Sequence, residues 1–437
     1  MRPRSLVCSF SLLALAVTSG ACTVTNHVLD PTNDLADNPV RAGITGLLKD
    51  SVHLIAGKRV GILTNQTGIN EKGKSAIDLI ASDSRAKNAR VSLVAIFTPE
   101  HGLEGTEDRP NVPGGVHKAT GVNVYSLYST RSTAPPDSIL QRLDVLVFDL
   151  QDIGTRTWTY VNSMVYTMRA AAKNGKKMIV LDKPNPVSGY IVEGPMLDPS
   201  VIARFHPPGG PSTSDVVPLV AVPMRHGMTI GEMALMYKDM LGIDVDLSVI
   251  PAKGWQRELW FDRTGLPWVK PSPNMPTLQS AMTYPGTVMF EATNLSVGRG
   301  TPIAFQQIGA PWLKAAQVVK ILTEREMRGV RFAAVEFTPV NPTDSKHSNR
   351  KIPGIQVMVT NRSGFQPVRV GAALLWAINK TSPDSLRVNA ASFDRLLGSP
   401  AVREALMRGE DPDKVMDQQF QPVYEFRERT RKYLLYK

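Results

Sequence analysis

Residues 144–156 read DVLVFDLQDIGTR. A continuous apolar run, VLVF, ends on Asp149, and Gln151, Asp152 and Arg156 follow within seven residues. A strand apolar on both faces belongs inside a covered parallel sheet. Charges crowded at its carboxyl end are placed where open α/β sheets bind ligands. The question is whether other strands end the same way.

They do. KRVGILTNQTG ends on Asn65 and Gln66, VSLVAIFTPEHG on Glu100 and His101, and KMIVLDKPNP on Asp182, Lys183 and Asn185. Between these runs, SAIDLIASDSRAKN and SMVYTMRAAAKNGKK carry apolar residues at helical spacing, the second closed by Gly175. PLVAVPMRHGMTIGEMALMYKDMLG repeats strand, turn and helix. Alternating strands and helices from about 46 to 245 predict an α/β domain with a parallel sheet covered on both faces. From about 246 the chain turns rich in Trp, Pro and Asn. Strand-like RFAAVEFTPV and GIQVMVTNRSGF then precede helical VRVGAALLWAINK and ASFDRLLGSPAVREALMRG. We read 246–437 as a second, smaller α/β domain.

The bulk numbers agree. The 437 residues are 42% hydrophobic, enough for two cored domains. MRPR followed by LVCSFSLLALAV and TSGAC reads as a secretory signal over 1–21. Cys22 is then either a lipid-anchored N-terminus or a residue just past simple cleavage near Ala21, because Ser19 stands where a lipobox carries Leu. Residues 22–45 read as a tether. The expected location is export, as a periplasmic protein or envelope lipoprotein, with membrane contact only through Cys22. Beyond Cys8 in the leader, Cys22 is the only cysteine, so neither an internal disulfide nor a cysteine metal cluster is expected. Net charge is +11, which suits an anionic partner. No run of five or six basic residues occurs, and the expectation is an envelope polymer, not nucleic acid.

The chemistry can be narrowed. No GxGxxG follows the first strand, and P-loop and GxSxG motifs are absent. His101, Asp149, Asp152 and His226 could be imagined on a metal, yet they lack HExxH or any tight ligand spacing; no metal and no cofactor is expected. Paired carboxylates in a sugar-sized crevice remain, with Trp and Tyr available for stacking. A solute-binding lipoprotein and a metal-dependent phosphoesterase are the competing readings.

FTPEHGLEG, DLQDIGTRTWTY, DKPNP with IVEGPML, RHGMTIGE, PSPNMP and FEATNLSVGRGTPIAFQQIGAPW, in this order, resemble the exo-acting β-N-acetylmuramidases of the NamZ type from about residue 46 to the C-terminus. The resemblance implies a Rossmann-like N-terminal domain and an active site in a cleft against the second domain. It also implies release of terminal N-acetylmuramic acid from peptidoglycan fragments during wall turnover. The glutamate of the PEHG motif is Glu100, expected as general acid with a raised pKa. His101 would orient it or contact sugar hydroxyls. Asp152, Glu193 and Glu291 are the candidates for its partner, and an acetamido-assisted route needs no second nucleophile. Arg156, Lys183 and Arg299 are candidates for the lactyl carboxylate. Asn65, Asp149, Gln151, Asp182, Asn185, Asn274, Asn294 and Tyr160 are expected among the substrate contacts, and Trp158, Tyr160 and Trp312 as platforms.

Overall fold

The computed structural model describes residues 39–437 apart from 110, 129–132 and 211. The segment 1–21 expected as a secretory signal, and Cys22, lie outside the described residues. The described residues form twelve strands: β1 (Arg59–Thr64), β2 (Ser92–Thr98), β3 (Gly115–Val116), β4 (Asn123–Ser126), β5 (Val145–Asp149), β6 (Lys177–Leu181), β7 (Glu193–Met196), β8 (Pro223–Arg225), β9 (Leu247–Ile250), β10 (Gln307–Gly309), β11 (Val330–Phe337) and β12 (Ile352–Val359). Seven make one sheet, in the order β3-β4-β2-β1-β5-β6-β9, parallel throughout except for the β3–β4 edge. Leaving out the β3 edge, the chain order across the sheet is the doubly wound 3-2-1-4-5-6 of a Rossmann-like domain.

The apolar runs explain the sheet. All five residues of β5 are buried, and β1 is buried from its second residue onward. Two apolar clusters lie on its opposite faces: Ile62, Ile96, Val147 and Ile179 point to one, Leu63, Phe97, Phe148 and Val180 to the other. That alternation is the side-chain period of a strand. The helix Ile230–Met240 starts with a reciprocal capping box, Thr229 with Glu232.

Two elements depart from the sequence reading. The PLVAVPMR stretch was expected to repeat the strand–helix pattern of the parallel sheet. Its strand, β8, instead pairs antiparallel with β7 in a two-stranded sheet, consistent with prolines 218 and 223, which cannot donate to a central ladder. The main sheet ends on β9 and so extends past residue 245, into the segment assigned to the second domain.

The second half holds the three-stranded antiparallel sheet β10-β12-β11. The helix Pro367–Thr381 packs on Leu278–Thr287 at a glycine contact. A Cβ on Gly286 would lie 1.9 Å from the Pro367 carbonyl oxygen, and one on Gly371 2.0 Å from that of Gly286. Only glycine lets these backbones approach so closely.

Candidate active site

Beyond β2 the chain turns sharply through Pro99, Glu100, His101 and Gly102, the last two at φ +70 and +74. The left-handed turn buries the His101 ring, whose Nδ1 lies 2.7 Å from the Glu107 carbonyl oxygen, and leaves Glu100 half-buried beside a cleft. Thr159 donates its hydroxyl to Glu100 Oε2 at 2.7 Å from the N-cap of the helix Tyr160–Lys173. Tyr128 follows β4 and hydrogen-bonds Glu100. Burial first, and then that carboxylate, raises the Tyr128 pKa, so the phenol stays a donor.

The cleft has a volume of about 590 Å³, within the range of small-molecule sites. Glu100, Tyr128 and Thr159 form one wall, Ser212–Asp215 another, and Arg395, on the helix Ala390–Leu397 of the second half, a third. Asn162 holds the 206–217 loop, donating to the carbonyl oxygens of Asp215 at 2.8 Å and Val217 at 2.7 Å. His206 ties the same loop through Ser212 Oγ and the Val217 carbonyl. Burial raises the Asp215 pKa and the Glu100 charge adds to it, with His206 opposing. Two carboxyl groups thus share one cleft, and burial together with the Glu100 charge favours the protonated form of Asp215.

Asp108 fixes the loop that carries Glu100. It accepts Asn274 Nδ2 at 2.6 Å and the Thr343 hydroxyl, with Arg299 Nη1 at 3.4 Å. Burial works against its charge, but Thr343, Arg299 and Asn274 hold its pKa below the usual range. Arg299 also donates to Glu291 Oε1 at 2.7 Å. Asn274, Glu291 and Arg299 therefore stitch the loop to the second half of the chain.

Most of the other polar strand tips face inward. Asp149 is buried against Lys183 Nζ at 2.9 Å. Asp182 accepts four donors: the amides of Lys183 and Gly231 and the hydroxyls of Thr229 and Tyr436. Asn65 donates to the Tyr160 hydroxyl, which donates to the Pro271 carbonyl. Gln151 donates to the carbonyl oxygens of Asp152 and Pro184, and Asn185 to that of Met228. Asp152 takes the Gly154 amide at 2.6 Å and faces His226 at 3.4 Å. Asn294 bridges Ser385 and Arg387. Trp158 packs edge-on against Tyr160 and Tyr284, in the core.

Three expected roles meet a different geometry. Arg156 is 1% exposed and donates to the carbonyl oxygens of Pro195, Val222, Leu396 and Leu397, so its guanidinium faces carbonyls and not a substrate. Glu193 lines a separate small cavity beside Arg225, 3.6 Å away. Asp152 is enclosed with His226. Neither of these two lines the cleft wall that holds Glu100. Asp215 was missed in the sequence; its signal is a lone acid closing the polar, Gly- and Ser-rich stretch GGPSTSD (209–215). Arg395, inside an ordinary amphipathic helix, had none.

Comparisons with known proteins agree with this architecture. The family description "Exo-beta-N-acetylmuramidase NamZ, N-terminal" matches residues 60–279, and its C-terminal counterpart matches 282–436. The chain is 37% identical to a peptidoglycan β-N-acetylmuramidase NamZ of Bacillus subtilis (strain 168) over 430 residues, 98% of this chain and 99% of the relative. Two crystal structures of DUF1343 family proteins from Bacteroides fragilis NCTC 9343 are similar. One has a TM-score of 0.81 at 31% identity, covering 91% of this chain and 99% of that one. The other has 0.69 at 28%, covering 92% and 99%. With both modules matched in order and a full-length relative at this identity, the chain belongs to the exo-β-N-acetylmuramidase NamZ family.

Proposed function

We propose that this protein hydrolyses the β-glycosidic bond of terminal N-acetylmuramic acid residues in peptidoglycan fragments, and that Glu100 and Asp215 carry the reaction. The observation that bears most weight is the pairing of these two carboxyl groups in one cleft of sugar size. The sequence reading made Glu100 the general acid. The geometry favours the reverse assignment. Asp215, whose pKa is raised by burial first and by the Glu100 charge second, is the acid that delivers a proton to the leaving oxygen. Glu100, which accepts hydrogen bonds from Thr159 and Tyr128, acts as the carboxylate facing the anomeric centre, where positive charge develops. Water then bonds to the anomeric carbon in place of the leaving alcohol and gives a proton back to Asp215. No cofactor enters this reaction.

The leader over 1–21 supports export, and a wall-derived substrate is found where an exported enzyme works. Anchoring at Cys22 would hold the enzyme at a membrane surface through a tether shorter than the expected 22–45, since the chain is already buried in the fold at Val40 and helical from Gly43.

The test is turnover of a chromogenic β-N-acetylmuramide, and of muramoyl saccharides with either sugar at the non-reducing end. Release of free N-acetylmuramic acid only from chains that end in it supports the reading, provided Glu100→Gln abolishes it and a chelator does not. Internal cleavage, or activity that survives Glu100→Gln, overturns it.

A further inference from the structure

N-acetylmuramic acid differs from N-acetylglucosamine by a lactyl ether ending in a carboxylate. A cleft already holding Glu100 and Asp215 disfavours a further negative charge unless a cation meets it. Resting on the muramidase reading, we propose that Arg395 is that cation, the residue that selects muramic acid over its lactyl-free parent sugar.

The cations expected from the sequence are engaged elsewhere. Arg156 is enclosed by four carbonyl oxygens, Lys183 is buried on Asp149, and Arg299 bridges Glu291 and Asp108. Among the described residues that line the cleft, Arg395 is the one with a cationic side chain. It is half-buried, and its Nε is enclosed with no hydrogen-bond partner among the described residues. The acid next to it, Asp394, is taken by Arg403 at 2.6 Å. The cleft wall is thus lined by an arginine whose guanidinium is a planar fork of the shape that fits a carboxylate bidentately.

Its position is held from the other half of the chain. The last turn of its helix is gripped through the Leu396 and Leu397 carbonyl oxygens by Arg156, and the Asp198 amide donates to the Gly398 carbonyl at 2.8 Å. Arg156 follows β5 in the N-terminal module. The same sheet that sets Glu100 therefore also sets the helix that carries Arg395, which fixes the distance between the reacting carboxyls and the cation. A sugar bound with its anomeric carbon at Glu100 and Asp215 lies in the cleft that Arg395 also lines.

The experiment compares kcat/KM on paired chromogenic β-N-acetylmuramide and β-N-acetylglucosaminide, for wild type, Arg395→Met and Arg395→Lys. Calorimetric binding of free N-acetylmuramic acid and N-acetylglucosamine is measured beside it. Arg395→Met should lower the muramide-to-glucosaminide ratio about 10- to 100-fold, the worth of a charge-assisted hydrogen bond, mainly through KM. Arg395→Lys should recover part of the ratio. A ratio unmoved by Arg395→Met, or equal losses on both sugars, overturns the proposal while leaving the muramidase reading intact. A wild type that turns over neither sugar yet binds N-acetylmuramic acid selectively through Arg395 overturns the catalytic reading instead and sustains this one.

Discussion

The Thr159 hydroxyl meets Glu100 Oε2 at 2.7 Å, joining the N-cap of one helix to the tip of a strand 59 positions earlier in the chain. That contact couples the two elements that bracket the sheet's central crossover. It also places a hydroxyl donor on a carboxylate that lines the cleft. Because Asn162, one turn along the same helix, holds the Asp215 loop, a single helix N-terminus orients both carboxyl groups of the cleft.

Glu100→Gln should reduce kcat/KM on a β-N-acetylmuramide by about 1,000-fold, the scale of losing one group that stabilises charge in the transition state, while the near-ultraviolet circular dichroism stays that of the wild type. Thr159→Val keeps the size of the side chain and removes one donor; about a tenfold loss in kcat is expected, as for one hydrogen bond to a charged group. Steady-state kinetics on both variants checks the pair. A Thr159→Val enzyme as fast as wild type would mean the contact does not orient Glu100.

The fold was legible because its signal is local. VLVF, VAIF and MIVL are short, β-branched apolar runs that read as buried strands, and the helices between them set a parallel sheet before any contact is known. Glu100 was legible for the same reason, as an acid at a strand tip in a turn. The site around it was not. Asp149, Arg156 and Asp182 also sit at strand tips, and nothing in their sequence separates a charge aimed at a cleft from one aimed at a buried partner. Only tertiary structure supplies the Lys183, the carbonyl oxygens and the Tyr436 hydroxyl that satisfy them. Asp215 and Arg395 reach the cleft from a loop and a helix about 115 and 295 positions beyond Glu100, distances over which no sequence period carries information.

Arg156 is expected to matter for stability more than any single surface ion pair. Arg156→Met removes the donor that four buried carbonyl oxygens share, leaving that of Val222 with the Leu197 amide alone, and a loss of about 3–5 kcal/mol is expected in denaturant unfolding. Because the same guanidinium holds the helix of Arg395, whatever activity survives should show a raised KM. A variant of wild-type stability would mean that these carbonyl oxygens do not depend on Arg156.

Asp108→Ala tests the clasp between the loop and the second half. It removes the acceptor for Asn274, Thr343 and Arg299. Amide hydrogen exchange over 99–109 should accelerate, since loop opening no longer breaks these bonds. The kcat should drop with it. Unchanged exchange would place the rigidity of the loop in its own turn.

Glu193 gives stability a pH dependence. Burial pushes its pKa to about 7 against the pull of Arg225, above its ordinary value of 4.5. Between these values the folded chain binds a proton that the unfolded chain has released. The stability contributed is complete below the lower value and is lost as pH rises through about 7. The loss from this group is at most about 3 kcal/mol. Urea unfolding at several pH values should show the decline, and Glu193→Gln should flatten it. A slope untouched by the substitution would assign the proton to another group.

The division of labour between the two carboxyls has its own test. If Asp215 is the acid, its raised pKa sets the alkaline limb of the rate profile: activity falls as pH rises and the proton is lost. Asp215→Asn should therefore be slow on natural fragments, whose leaving alcohol must be protonated, by about 100-fold or more. On a dinitrophenyl β-N-acetylmuramide the leaving group departs without a proton. There the same variant should keep most of its rate and lose the alkaline limb. Glu100→Gln should be slow on both substrates, because stabilising the anomeric centre does not depend on the leaving group. Were the dependence reversed, with Glu100→Gln rescued by the better leaving group and Asp215→Asn not, the acid would be Glu100. The burial that raises Asp215 would then serve to keep a second charge out of the cleft.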